Sequence, residues 1–70
     1  MAVTEITLTG GAHIRVDADI HVVETAIVSA ARGSIMELAW VTEAQTGQRV
    51  GINPDHVIMV RELDTGVSPG

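Results

Sequence analysis

Turn signals recur so closely along this chain that no apolar run between them is long, and this punctuation limits the folds open to it. Gly10-Gly11, Asp17-Ala18-Asp19, Arg32-Gly33-Ser34, Glu43 to Gln48 and Asn53-Pro54-Asp55 each interrupt alternating or β-branched residues. Glycine accepts positive φ, Asx side chains bond to nearby backbone amides, and proline fixes φ while removing a donor, so each cluster redirects the chain. Short strands at this spacing predict a small β structure. Seventy residues leave room for one domain, read as 1–62, with Leu63 to Gly70 as a flexible tail.

The runs between the turns support that reading. Thr4 to Thr9 alternates, with Ile6 and Leu8 against Thr7 and Thr9; after the glycines, Ile14 and Val16 oppose His13, Arg15 and Asp17. The pair reads as a β-hairpin. Ile35 to Thr42 and Arg49 to Ile52 read as further strands, the latter with Val50 and Ile52 inward. In His56 to Glu62, Val57 and Met59 take one face and Ile58 and Val60 the other, which predicts a strand buried on both sides or lying at a subunit interface.

Ile20 to Arg32 supports two readings. Ile20, Val23, Ile27, Ala30 and Ala31 fall at helical spacing, with Asp19 placed to cap the start and Gly33 the end. Against this, Val22, Val23, Thr25, Ile27 and Val28 are β-branched and lose χ1 freedom in a helix. The strand is preferred. The expected fold is therefore mainly β, a small barrel or rolled antiparallel sheet of five to six short strands; the alternative is α+β with one helix near 20–32.

A 36-residue shift aligns Gly11 with Gly47, Ile14 with Val50, Val16 with Ile52, Asp17 with Asn53, Asp19 with Asp55 and Val22 with Ile58. Two such β-β-β units packed about a pseudo-two-fold would make a compact barrel. Leu8-Thr9, Gly10-Gly11 and Val16 to Ile20, followed by Thr46-Gly47, Val50 and Ile52, resemble the FlbD family of small flagellar proteins. Its lysine-rich ends are absent here, and the middle, Ala26 to Met36, is longer. That resemblance implies a small accessory protein without known catalytic residues. Gln48 to Asn53 and Val60-Arg61-Glu62 are similar to the end of the carbon-storage-regulator family, which would imply RNA contact through Arg61. The N-terminal arginines of that family have no counterpart here.

Charge narrows the partners. The chain carries a net −5, four arginines and no lysine, so polyanions and anionic membranes are repelled by most of its surface. On this ground neither nucleic acid nor a membrane is expected as a partner. No basic-then-apolar leader and no spanning run is present, which makes the cytoplasm the expected location. With no cysteine there is no disulfide and no thiolate zinc site, so a domain this small is expected to gain stability by self-association.

No catalytic motif is visible, and the chain is expected not to be an enzyme and to need no cofactor. His13, His21 and His56 are the candidate bases; Asp17, Asp19 and Asp55 near the latter two read as turn caps rather than metal ligands. Trp40 is the one large aromatic. It is expected in the core or at a subunit interface, and would anchor a partner if exposed. Met36 and Met59 read as packing filler. The leading expectation is a non-catalytic homo-oligomeric structural or adaptor protein that contacts a protein partner, with Val57, Ile58, Met59 and Val60 as oligomer contacts. The alternatives are a small-molecule module in which Arg15, Arg49 or Arg61 holds an anionic ligand, and an Sm-like or carbon-storage-regulator-like RNA binder whose four arginines would have to gather on one face.

Overall fold

The computed structural model describes residues 2–33 and 37–63. Its elements follow in the order β1 (Val3–Leu8), β2 (His13–Val16), α1 (Ile20–Arg32), β3 (Ala39–Thr42), β4 (Arg49–Ile52), a 3₁₀ turn (Pro54–His56) and β5 (Val57–Leu63). Strands dominate, and one helix accompanies them. The expected tail begins one residue too early, because Leu63 ends β5 opposite Val3; residues 64–70 lie outside the described residues.

The hairpin forms as the sequence predicts. Gly10 and Gly11 both have φ near +90° (92 and 90), a conformation that a Cβ opposes, and they set Ile6 opposite Ile14 and Thr4 opposite Val16. β5 lies antiparallel on the other side of β1, giving the order β2-β1-β5. β3 and β4 make a separate antiparallel pair, with Val41 opposite Val50 and Ala39 opposite Ile52. A single bridge, Val16 to Glu43, joins the two sheets, supported by Asp17 N–H donating to Thr42 O (3.0 Å) and Ala44 N–H to Arg15 O (2.8 Å). Among the described residues the sheets do not close into a barrel, which corrects the barrel expectation.

The reason is the helix. Ile20–Arg32 is α-helical, not the preferred strand. Asp19 Oδ1 accepts from His21 N–H at 2.6 Å at the N-cap, and Arg32 stands in the last turn. β-branched residues lose at most about 0.7 kcal/mol each in a helix relative to alanine. Burying one valine or isoleucine side chain gains about 1.5–3 kcal/mol. Helical spacing alone brings Val23, Ile27 and Ala30 to the sheets together; Val23 and Ala30 are buried, and Ile27 packs on the core cluster. A strand would have divided them between faces and set Glu24 among the apolar residues. Packing therefore outweighs propensity, and α1 covers the apolar face that further strands would have covered.

The core is small and aliphatic: Ile6, Val16, Val23, Val41 and Ile52, with Leu8, Ile14, Ala18, Ile27, Val50, Val57 and Val60 packed around it. Thr4 is fully buried on β1, and its Oγ1 donates to Ala18 O at 2.9 Å, so its hydroxyl is satisfied. The internal echo survives at its turns and strand ends. Gly11 and Gly47 both have positive φ, and Val16 and Ile52 both end short strands in the core. It fails beyond them, because Asp19 caps a helix whereas Asn53 Oδ1 caps the 3₁₀ turn by accepting from Asp55 N–H (2.9 Å).

Two further expectations are corrected. The strand predicted from Ile35 begins only at Ala39, with Glu37 and Leu38 outside it and residues 34–36 outside the described set. In β5, Thr7 faces Met59 while Leu8 faces Val57, so Ile58 is an inserted residue, a β-bulge. The bulge breaks the alternation: Val57 and Val60 pack on the core cluster, while Ile58 and Met59 are 62% and 45% exposed. β5 is thus not buried on both sides, and Met59 is not filler. No helix among the described residues is long and apolar enough to cross a membrane.

Candidate interaction site

Alternation along β3 turns Ala39 and Val41 into the core and leaves Trp40 outward, 54% exposed, which corrects its expected place in the core. Its position is set by the residue opposite. Trp40 pairs with Gly51, and a Cβ on Gly51 would lie 3.0 and 3.1 Å from the indole Cη2 and Cζ3 and 2.9 Å from Leu38 Cδ1. Glycine is thus the seat on which the indole and Leu38 rest, the usual meaning of an isolated glycine inside a strand. From β4, the Arg49 guanidinium carbon stands 5.9 Å from the ring centroid, within cation–π range.

Across from the indole lies α1. An open groove of about 280 Å³ runs between α1 and the β3–β4 pair, lined among others by Asp17, Val22, Ala26, Trp40, Thr42 and Arg49. Val22 is 61% exposed on the helix side. The groove therefore combines apolar side chains with one charge of each sign, Asp17 and Arg49. Sequence reasoning singled out Trp40 and Arg49 but not Val22, Ala26 or Gly51. The helical alternative contained the first two, since Val22 and Ala26 are four residues apart and share a helix face; the lone Gly51 was the signal for the third.

The other arginines go elsewhere. Glu5 on β1 sits between Arg15 on β2 and Arg61 on β5 in register. Arg61 Nη2 donates to Glu5 Oε1 at 2.7 Å. That hydrogen bond, aided by the charges of Arg61, His13 and Arg15, holds the Glu5 carboxyl below its ordinary value of 4.5 even though burial pushes the other way. Glu5 was not foreseen as a partner; its place opposite an arginine follows from register, which one sequence does not display. The four arginines do not gather: Arg15 and Arg61 flank Glu5, Arg49 lies within cation–π range of Trp40, and Arg32 ends α1.

Two histidines pair with threonine hydroxyls. Thr7 Oγ1 lies 3.1 Å from His13 Nδ1, and Thr9 Oγ1 lies 2.8 Å from His56 Nδ1. Among the described residues neither ring has a carboxylate within 4.0 Å to orient it, and no three metal-ligating side chains come together. Arg15, Arg49 and Trp40 thus occupy two separate surfaces, the first on the three-stranded sheet and the other two on the hairpin. Val57 to Val60 occupy a third, the edge beyond β1. In comparisons with protein families, with curated proteins and with solved structures, the chain matches none.

Proposed function

We propose that this chain is a small, non-catalytic, homo-oligomeric structural or adaptor protein that works through protein–protein contacts. The observation that carries the reading is Trp40, held open to solvent on Gly51 and facing the exposed Val22 across a groove. A tryptophan that is already positioned loses little side-chain freedom on binding and offers a large apolar area, which is why this residue recurs at binding hot spots. The thin aliphatic core and the FlbD resemblance point the same way, towards an accessory module in the cytoplasm rather than a catalyst. Native mass spectrometry of the purified chain tests it. A closed oligomer at its bare mass is expected, and Trp40→Ala should shift the population to monomer and remove the concentration dependence of the melting temperature that self-association confers. A monomer at every concentration overturns self-association.

The proximity of Arg49 to Trp40 favours a second reading, an anionic small molecule held in the same groove. A flat anion could stack on the indole while the guanidinium binds its charge. Titration with a naphthalene sulfonate should then quench Trp40 and raise the melting temperature, and Arg49→Gln should abolish both effects. RNA binding gains no support from the arrangement, because Arg15 and Arg61, Arg49, and Arg32 lie on separate parts of a chain whose net charge is −5.

A further inference from the structure

The outer edge of β5 differs from the other strand edges. β2 has β1 on one side and is bridged to Glu43 at its other side, and β3 and β4 are each only four residues long. β5 has seven residues and, among the described residues, β1 as its one neighbour. Such an edge presents a row of unpaired N–H and C=O groups and invites another strand. Its bulge is confined to Ile58, and Met59 to Leu63 run in regular register against Thr7 to Val3.

The side chains along this stretch specify what would fit. On one side of the sheet, Arg15, Glu5 and Arg61 stand in a row across three strands, so the charge alternates plus, minus, plus and stops at the edge. Arg61 is 58% exposed despite its bond to Glu5 and retains donors for a further acceptor. On the other side, Ile20, Ile27, Val28 and Val60 line a largely apolar notch of about 130 Å³, with Glu24 completing its wall. Glu62 follows Arg61 and is exposed. β1 shows the matching pattern, since it places Glu5 opposite Arg61 and Ile6 opposite Val60.

We infer that the edge of β5 binds an extended segment of another protein by antiparallel strand addition. That segment would carry a carboxylate opposite Arg61, a basic residue opposite Glu62 and an aliphatic residue opposite Val60. Main-chain hydrogen bonds would supply affinity, and the alternate side chains would supply choice. A second copy of β5 fits poorly. Two-fold pairing over Met59 to Leu63 is centred on Arg61 and sets like charges directly opposite, while moving the centre towards Met59 draws the bulge into the ladder. The inference rests on the protein-contact part of the proposed function and not on self-association.

The test is a titration of the full chain with two capped peptides, followed by NMR backbone amide shifts. One reads threonine-valine-lysine-glutamate-valine-valine-threonine; the other has lysine and glutamate exchanged. The first should bind at least about fivefold more tightly, with the largest shifts at Met59 to Leu63. Glu62→Lys, an exposed change that leaves the Glu5–Arg61 pair intact, should weaken or reverse the preference. Equal binding, absence of binding, or shifts centred on Trp40 overturn the inference. So does rapid disulfide formation by Val60→Cys, which in a chain with no native cysteine would place a second copy on the edge. The native mass of the unmodified chain reports self-association separately.

Discussion

Glu5 shows how one residue acquires its role from neighbours distant in sequence. Its ionised form is favoured by Arg61, 56 positions away. Because its pKa in the fold lies below the ordinary 4.5, the pairing stabilises the protein fully above the unfolded value and is lost as pH falls through the folded one. Thermal melts should therefore show stability falling below about pH 4.5, and Glu5→Gln should flatten that acid limb while lowering the melting temperature at neutral pH. An unchanged acid limb in the variant would remove this role. Gly51 makes a second residue-scale prediction. Gly51→Val should lift the indole, red-shift its emission and lower stability by about 1 kcal/mol, since the new side chain meets Trp40 and Leu38.

At the scale of elements, α1 is the instructive case. Two neighbouring valines have opposite expectations there, because Val23 is 1% exposed and Val22 faces solvent. Val23→Ala should lower stability by about 2 kcal/mol, whereas Val22→Ala should be neutral or slightly stabilising, since alanine is the better helix former. Equal losses at both sites, measured by urea denaturation, would contradict the helix. Asp19→Ala should cost about 1 kcal/mol by leaving the His21 amide without its capping oxygen. The hairpin, the short strand Arg49–Ile52 and the turn at Asn53 were legible beforehand because turn chemistry and alternation act locally. The helix was legible only as an alternative, because the decision between period 3.6 and period 2 depended on what lay opposite.

For the whole molecule, charge and edges set the behaviour. A net charge of −5 opposes self-association at long range, so any oligomer should tighten as salt rises, and sedimentation at low and high salt checks this. Loosening with salt would mean that paired charges hold the subunits instead. The separation of surfaces also matters: the Trp40 groove lies between α1 and the β3–β4 pair, and the outer edge of β5, with β1 as its one neighbour among the described residues, lies beyond β1. A contact at one leaves the other open.

By itself the sequence determined the predominance of strands and the places where the chain turns, and it singled out Trp40 and Arg49, which the structure brings side by side. These follow from composition and from residues acting on their immediate neighbours. Tertiary structure alone decided that Ile20–Arg32 is a helix, that Ile58 is a bulge residue, that Trp40 faces solvent and that Arg61 meets Glu5. Each of those depends on which residues from distant parts of the chain stand opposite one another, and on the apolar area that only their packing removes from water.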